Sequence, residues 1–219
     1  MKKIYYILLA LLAMNFTFTA CNDEDPFSTA TADDDPRILD PIFTDGKDGN
    51  LPVIAEINRD ANLTIKLTVT PADYSSVSWM IDDHEIQTGT TLDISLKAGT
   101  YKFKVIVSTE AGKSTYREGT VQVNPLAGDP WATTEGVERI ITPGATARLY
   151  GNNLDKVKSI VIDGKTITDI SYIQSEDGNY LEYTVPANLT EGEQRVILVD
   201  VNSSEYGANY VNVTNNTLI

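Results

Sequence analysis

Residues that could perform covalent chemistry are scarce in this chain of 219 residues, which has one cysteine and one histidine. Nucleophilic catalysis needs a Ser, Cys or Thr beside a base, and zinc sites need clustered Cys and His, so neither is indicated. The 31 Asp and Glu residues offer many carboxylate pairs of the kind used in glycoside hydrolysis, but none lies in a recognisable setting. The sequence therefore predicts no catalytic residue, no metal and no cofactor, and an enzyme is the third-ranked hypothesis.

Aromatic side chains are the remaining candidates for ligand contact. The chain has 11 Tyr and 2 Trp, and these rings combine an apolar face with a polar tip. Rings in or beside loops are placed where they can contact a ligand. Four aromatic residues lie in or beside predicted loops and are the candidate binding residues: Trp131, Tyr172, Tyr180 and Tyr206. The alternative for each is ordinary packing at a half-buried position.

The first 20 residues have the pattern of a cleaved secretory signal. Lys2 and Lys3 precede an apolar segment, residues 4–14, and small residues then lead to Cys21. The segment is shorter than the roughly 20 residues of a membrane-spanning helix. The pattern predicts a signal peptide over residues 1–20, and the single cysteine allows no internal disulfide. The alternative is an ordinary secretory signal followed by an unrelated thiol.

The residues around Cys21 resemble a bacterial lipobox. The resemblance implies that Cys21 becomes the acylated N-terminus and attaches the protein to the outer membrane, and more than one acyl chain makes such attachment durable. The following Asn22-Asp23-Glu24-Asp25 resembles the surface-export signal of Bacteroidota-type outer-membrane lipoproteins, which implies an extracellular position. A solvated charge run is the alternative. Residues 21–36 as a whole are predicted to be an acidic, flexible stalk.

The charge balance argues against two classes of partner. The formal net charge is −14, which repels nucleic acid and anionic lipid headgroups. No nucleic-acid partner is therefore predicted. The acidic run Asp45–Asn50 lacks the ligand spacing of a calcium loop and is predicted to be a turn.

From about residue 52 apolar residues recur at every second position. The runs are Asn62–Thr70, Ser76–Ile81, Leu92–Leu96 and Thr100–Ser108. Each run predicts a strand with one buried face, and the turn residues between them predict an antiparallel sandwich. Within it, Trp79 is expected in the core, the alternative being a ligand platform. The tyrosine corner common in such sandwiches leads us to expect that Tyr101 buries its ring and bonds its hydroxyl to backbone. His84 is expected on the surface.

Residues 37–125 resemble a PKD-type immunoglobulin-like domain. The resemblance is carried by Val77 to Asp82, Ala98-Gly99-Thr100-Tyr101, the alternating Phe103, Val105 and Val107, and Gly112. The glycine-rich turn typical of that family after the tryptophan strand is replaced here by Asp82-Asp83-His84-Glu85. Residues 126–136, with two prolines and two glycines, are predicted to be an interdomain linker. Trp131 in this linker either packs into the domain interface or forms an exposed stacking platform.

The second half is also predicted to be β. Asp163-Gly164 predicts a tight hairpin, and residues 195–201 carry Ile197, Val199 and Val201 on one face. Residues 137–219 resemble an IPT/TIG immunoglobulin-like domain. The resemblance is carried by Ile141 to Gly144, Leu149 to Leu154, Val157 to Gly164, Val185-Pro186 and Gly192 to Val201. The predicted fold is therefore all-β: two tandem immunoglobulin-like β-sandwiches after a signal peptide and a flexible stalk.

These resemblances imply a non-catalytic surface lipoprotein that binds glycan beside an outer-membrane importer of the starch-utilisation type. In such a protein the four aromatic candidates would be carbohydrate-binding residues that stack on sugar rings, with nearby polar side chains contacting the sugar hydroxyls. Polysaccharide and an outer-membrane transporter complex are the expected partners. The second hypothesis is a structural spacer or protein-interaction module of a cell-surface complex. The end of the chain soon after the last predicted strand leads us to expect no third domain, which weakens a pure spacer role.

Overall fold

The computed structural model describes residues 30–43, 50–133 and 139–215. Cys21, most of the predicted stalk and the turn predicted within Asp45–Asn50 lie outside these residues, apart from Asn50 itself. In the described part of the chain, no helix has the length and apolar character needed to span a membrane.

Within the described residues, the first sandwich contains nine strands. They are β1 (Arg37–Asp40), β2 (Val53–Asn58), β3 (Asn62–Lys66), β4 (Thr68–Thr70), β5 (Ser75–Ile81), β6 (His84–Thr88), β7 (Thr91–Ser95), β8 (Gly99–Thr109) and β9 (Ser114–Asn124). A five-stranded sheet in the order β2-β9-β8-β5-β6 faces two strand pairs, β1-β4 and β3-β7. Strand β2 runs parallel to β9 and the other pairs are antiparallel.

The core of this sandwich follows the predicted alternation. Trp79 is 0% exposed and its indole N–H donates to the carbonyl of Gly89 at 2.6 Å. The Tyr101 ring is buried and its hydroxyl donates to the Lys97 carbonyl at 2.7 Å. His84 is exposed. These three predictions are confirmed.

In the part of the second sandwich that the structure describes there are also nine strands. They are β10 (Trp131–Ala132), β11 (Ile140–Ile141), β12 (Thr146–Asn152), β13 (Val157–Ile162), β14 (Lys165–Ile167), β15 (Ile170–Ile173), β16 (Tyr180–Thr184), β17 (Gly192–Asp200) and β18 (Glu205–Val213). A four-stranded sheet, β10-β12-β16-β15, faces a five-stranded sheet, β11-β18-β17-β13-β14. The described residues thus form two β-sandwiches with short 3-10 turns, which confirms the all-β prediction.

One predicted strand face is not the core face. In β17 the fully buried side chains are Val196 and Leu198, whereas Ile197 and Val199 are half-buried and Val201, just past the strand, is 71% exposed. Both faces of this run are apolar, so the alternation could not show which face of the strand is buried. The Asp163-Gly164 hairpin is confirmed, because both residues have positive φ, 49° and 66°, between the paired strands β13 and β14, as a tight two-residue turn requires.

An arginine from the second sandwich inserts into the first. Arg195 of β17 donates through Nη2 to the Asp82 carboxylate at 2.7 Å, to the Thr100 carbonyl at 2.9 Å and to the Tyr210 hydroxyl. Its guanidinium carbon lies 3.7 Å from the ring centroid of Tyr101 and 4.2 Å from that of Tyr210. Planar guanidinium groups suit such stacked, multiply bonded positions.

A second arginine, Arg59 of the first sandwich, also contacts residues of the connecting stretch and of the second sandwich. The Arg59 guanidinium donates to both carboxylate oxygens of Asp129, with Nη2 to Oδ1 at 2.7 Å, and lies 5.3 Å from the Tyr206 ring centroid. The pKa of Asp129 is lowered, first by this bond with Arg59. We call these two arginine centres, together with the backbone contact of Gly207 on Ala98, the joint.

The outer face of the second sandwich is the candidate functional site

The four-stranded sheet of the second sandwich exposes one face to solvent. Residues alternate between the two faces of a strand, and in β12 Ala147 and Leu149 pack into the core while Arg148 and Tyr150 face outward. In β16 Leu181 and Tyr183 are buried, so Tyr180 and Glu182 face outward. Direct pairing of Tyr150 with Tyr180 places the two tyrosines side by side on adjacent strands.

The predicted linker adds the edge strand of this sheet. Trp131 and Ala132 form β10 and pair with Asn152 and Gly151 of β12. Ala132 is 0% exposed, so Trp131 lies on the opposite, outward side and is half-buried. The close approach depends on a glycine, because a Cβ at Gly151 would lie 1.9 Å from the Trp131 carbonyl oxygen. The short interdomain stretch is thus part of the second sandwich as well as a connection.

The two central tyrosines of this face stack against each other and against an arginine. The ring centroids of Tyr150 and Tyr180 are 5.1 Å apart with an interplanar angle of 45°. Arg148 places its guanidinium carbon 4.8 Å from the Tyr180 centroid and donates from Nε to the Glu182 carboxylate at 3.2 Å. We call Trp131, Tyr150 and Tyr180, with this Arg148–Glu182 pair, the outer aromatic face.

The charges of the outer aromatic face balance. The pKa of Arg148 is raised above its ordinary value, first by a side-chain hydrogen bond with Tyr150 and then by the bond with Glu182. Arg148 is 52% exposed and Glu182 36%, so the pair orients the rings and adds little stability. The face therefore offers flat rings, hydroxyl groups and one neutralised ion pair.

The four predicted candidates divide into two groups. Trp131 and Tyr180 lie on the outer aromatic face, whereas Tyr172 and Tyr206 pack against the buried core of the second sandwich. The Tyr172 hydroxyl accepts a hydrogen bond from Gln174 at 3.3 Å. The sequence left open whether Trp131 packs into the domain interface or forms an exposed platform, and the structure places it half-buried on the outward side of β10, opposite Asn152.

Tyr206 serves the joint. The Arg59 guanidinium lies 5.3 Å from its ring centroid, and its hydroxyl donates to the Asp200 carboxylate at 3.2 Å. Burial raises the pKa of the Tyr206 phenol, with the Asp200 charge acting in the same direction. Both the ring face and the hydroxyl of Tyr206 are therefore occupied by contacts within the protein.

Sequence reasoning passed over Tyr150. It sits within a motif that carries the family resemblance, and it follows a buried leucine. The available signal was the alternation Ala147-Arg148-Leu149-Tyr150, which places Tyr150 opposite the core face. Recognising it as a neighbour of Tyr180 needed the pairing of β12 with β16, which strand patterns do not reveal.

The first sandwich carries a separate cleft of about 470 Å³ between β2 and β3. Its lining includes Ile42, Phe43, Val53, Ile65 and Lys66. Residues 44–49, which follow Phe43 in the sequence, are outside the described part of the chain. None of the four predicted aromatic residues lines it.

Comparison with known proteins gives an informative match among solved structures. No protein-family model matches the chain, and no curated protein does. A Bacteroides ovatus structure, SGBP-B of the mixed-linkage glucan utilization locus in complex with a mixed-linkage heptasaccharide, is 52% identical with a TM-score of 0.80. The match covers 84% of this chain and 48% of that chain. This chain is similar to a surface glycan-binding protein. It spans about half of that protein's length.

Weaker matches come from other two-domain β structures. The fibronectin(III)-like modules of Clostridium thermocellum CbhA are 16% identical, with a TM-score of 0.31 over 84% of this chain and 97% of theirs. The N-terminal Ig1-2 module of the Drosophila receptor protein tyrosine phosphatase DLAR is 8% identical, with a TM-score of 0.32 over 83% of this chain and 100% of its own. Scores this low support no inference about function.

Proposed function

We propose that this chain is a non-catalytic surface lipoprotein that binds glycan for a polysaccharide-uptake system. The observation that carries the proposal is the outer aromatic face, where Trp131, Tyr150 and Tyr180 lie on three adjacent strands. Aromatic rings that offer large contact area with few rotatable bonds are suited to recognition surfaces. Similarity to SGBP-B, a surface glycan-binding protein solved with a heptasaccharide, supports the same ligand class.

Membrane attachment and location on the cell surface are parts of this proposal. Acylation of Cys21 would hold the chain on the outer membrane, and the acidic residues that follow would direct it to the extracellular side. Intact mass of protein purified from its native membrane tests the anchor. A mass increased by several acyl chains at Cys21 is expected, and an unmodified N-terminus would contradict it.

Glycan binding is tested by isothermal titration against a panel of soluble polysaccharides. We expect saturable binding of at least one glycan and weaker binding by Trp131→Ala. The matched control is Tyr116→Ala, because Tyr116 is an exposed tyrosine of the first sandwich, 52% exposed, with Lys104 4.5 Å from its ring centroid. Absence of binding to every glycan would contradict the proposal.

A second candidate function is a rigid arm that positions other parts of a cell-surface complex. The joint favours it, because Arg195 and Arg59 each link the two halves through charged hydrogen bonds and ring contacts. Nearly half of the SGBP-B length is matched by these two sandwiches, and the remainder of that protein has no counterpart in this match. Copurification with an outer-membrane transporter, without glycan affinity, would favour the arm over the glycan-binding role.

A further inference from the structure

The outer aromatic face forms a strip that crosses all four strands of its sheet. In the order β10-β12-β16-β15, the strip consists of the outward side chains Trp131, Tyr150, Tyr180 and Ile173. Tyr180 pairs directly with both Tyr150 and Ile173, whereas Trp131 pairs with Asn152 and so lies two residues further along the strand direction than Tyr150. Adjacent strands are about 4.8 Å apart, so the strip spans about 14 Å across the sheet, with Trp131 displaced by about 7 Å along the strands.

The strip is apolar along its length and polar along its margins. In the strands themselves, the remaining outward positions are occupied by hydroxyl and amide side chains and by one ion pair: Thr146, Arg148, Asn152, Ser171, Glu182 and Thr184. The faces of a pyranose ring are lined by C–H groups and its rim by hydroxyls. Five of these side chains lie on one side of the strip, and Asn152 lies on the other, beside Trp131. Stacking on the strip would therefore leave the sugar hydroxyls beside donors and acceptors mainly along one margin.

The electrostatics of the strip favour an uncharged ligand. Arg148 is the one cation at the outward positions of these four strands, and its guanidinium is engaged by both Glu182 and Tyr150. A carboxylate-bearing sugar would have to displace Glu182 to gain a partner. The formal net charge of −14 opposes the approach of any polyanion.

We infer that the outer aromatic face binds a neutral, extended glycan chain that runs across the strands. An extended chain of β-linked pyranoses advances by about one strand spacing per sugar, so the strip accommodates about three consecutive sugars. This inference rests on the proposed glycan-binding function and adds the direction, the length and the charge of the ligand.

The length and the charge of the ligand are tested by titrating the full chain with two oligosaccharide series. One series is neutral mixed-linkage glucan of increasing length, and the other is oligogalacturonate of matched length. Affinity for the neutral series is expected to rise until about three sugars are present and then to level off. The acidic series is expected to bind at least about tenfold more weakly, a difference of roughly 1.4 kcal/mol.

The position of the ligand is tested by substitutions within and outside the strip. Trp131→Ala and Tyr180→Ala are each expected to weaken binding of the neutral series by about tenfold or more, as for buried aromatic anchors. Tyr180→Phe keeps the ring and is expected to retain most of the affinity, which separates lost stacking from lost folding. Tyr116→Ala, in the first sandwich, is expected to bind like wild type.

The role of the ion pair is tested by Glu182→Gln. This substitution leaves Arg148 without its carboxylate partner and is expected to shift the ratio of acidic to neutral affinity several-fold toward the acidic series. Equal binding of the two series by wild type, or an unchanged ratio in Glu182→Gln, would overturn the inference about charge.

Two other outcomes separate the inference from the proposed function. Glycan binding that survives both Trp131→Ala and Tyr180→Ala would overturn the assignment to this face and leave the proposed function intact. No binding of any neutral or acidic glycan would overturn the proposed function, and the inference with it.

Discussion

Arg195 makes contacts that few other side chains could combine. Its guanidinium lies between two tyrosine rings while its Nη2 reaches the Asp82 carboxylate and a backbone carbonyl of the other sandwich. Among the described residues, its Nη1 is a buried donor without a hydrogen-bond partner, which costs some of the stability that the stacking provides. This cost is offset because the Asp82 carboxylate compensates the charge of the Arg195 guanidinium.

Replacing Arg195 is expected to weaken the protein measurably. Arg195→Ala should lower the free energy of unfolding by about 2 kcal/mol, less than for a fully buried pair, since the side chains of Arg195 and Asp82 are 19% and 23% exposed. The free energy of unfolding of Arg195→Lys should lie between those of wild type and Arg195→Ala, because an ammonium keeps the charge and loses the planar stacking. Urea unfolding measures both.

The control for Arg195 is an exposed ion pair that also links the two sandwiches. Lys97 lies 3.1 Å from Glu205, and their side chains are 42% and 52% exposed. Lys97→Ala should change stability by no more than about 0.5 kcal/mol. A loss from Lys97→Ala equal to that from Arg195→Ala would contradict the importance assigned to the stacked guanidinium.

Asp129 should make stability depend on pH in the acid range. Asp129→Asn removes a charged, two-point bond with Arg59 and should lower the free energy of unfolding at neutral pH by about 1–3 kcal/mol. The pKa of folded Asp129 lies below its unfolded value. The advantage of the wild type is therefore complete above pH ~4 and disappears as the pH falls through the lower folded pKa.

Unfolding titrations over a range of pH, with wild type and Asp129→Asn side by side, test this expectation. Asp169→Asn, at an exposed position, is the control and should stay within about 0.5 kcal/mol of wild type. A constant difference between wild type and Asp129→Asn down to the most acidic condition would contradict the assignment.

At the scale of elements, β10 shows how a short edge strand can position a candidate binding side chain. Two residues of the connecting stretch pair with β12, and Thr133 extends the contact by donating its backbone N–H to the Tyr150 carbonyl at 2.8 Å. If β10 moved away from Gly151, Trp131 would lose both the strand hydrogen bonds and the burial that fix its position. The position of the tryptophan is thus a property of strand pairing.

Gly151→Ala is expected to release β10. The added Cβ would lie 1.9 Å from the Trp131 carbonyl oxygen, a backbone contact that cannot be relieved by a side-chain rotation. Acrylamide quenching of tryptophan fluorescence should increase, because Trp79 is fully buried and Trp131 would dominate the change. Glycan affinity, where measurable, should fall with it.

The matched control for Gly151→Ala is Gly144→Ala. Gly144 has φ of +80°, and a Cβ there would meet nothing within 4 Å. The substitution should therefore cost about 1 kcal/mol of backbone strain without changing the quenching of Trp131. Increased quenching in Gly144→Ala, or none in Gly151→Ala, would contradict the role given to the close approach.

At the scale of the whole molecule, the joint fixes how the two sandwiches face each other. Its two arginine centres lie on different strands and turns, and a backbone contact lies with them, since a Cβ at Gly207 would be 1.7 Å from the Ala98 carbonyl oxygen. Interfaces between domains of one chain usually permit relative motion unless they are extensive. Here charged hydrogen bonds, ring stacking and direct backbone packing act together.

Loss of both arginine centres should uncouple the sandwiches. The wild type is expected to unfold in one calorimetric transition, and the double variant Arg59→Ala/Arg195→Ala in two, because each sandwich keeps its own buried core and two-state behaviour needs coupling between them. Small-angle scattering should show a wider range of particle dimensions for the double variant.

The control for uncoupling is Lys97→Ala/Lys102→Ala, which removes two exposed ion pairs, with Glu205 and with Glu193. This variant should retain one transition and the scattering profile of wild type. Two transitions already present in the wild type would show that the joint does not couple the sandwiches.

Local patterns in the sequence were sufficient for much of the fold. Period-two alternation located most strands, the Asp163-Gly164 turn was recognised from residue type, and the environments of Trp79 and Tyr101 followed from their places in strands. These features depend on neighbours in the chain. The single run predicted over Asn62–Thr70 is two strands, because β3 pairs with β7 while β4 pairs with β1, and Leu67 between them bonds its N–H to the Thr90 carbonyl at 2.7 Å.

The candidate site depended on contacts between residues distant in the chain. Trp131, Tyr150 and Tyr180 share one sheet face only because β10, β12 and β16 are neighbours in one sheet, whereas Tyr172 and Tyr206 pack against the core of the second sandwich. The buried face of β17 was likewise undetermined, because both of its faces are apolar and Arg195 must point toward the first sandwich.

The sequence by itself determined that this is an all-β protein and where most of its strands and turns lie, because those are set by side-chain alternation and turn residues over a few positions. Tertiary structure alone decided which aromatic side chains share a surface and how the two sandwiches are joined. Those outcomes depend on strand order and on charged groups from separate halves of the chain, which are brought together only when the sheets pack.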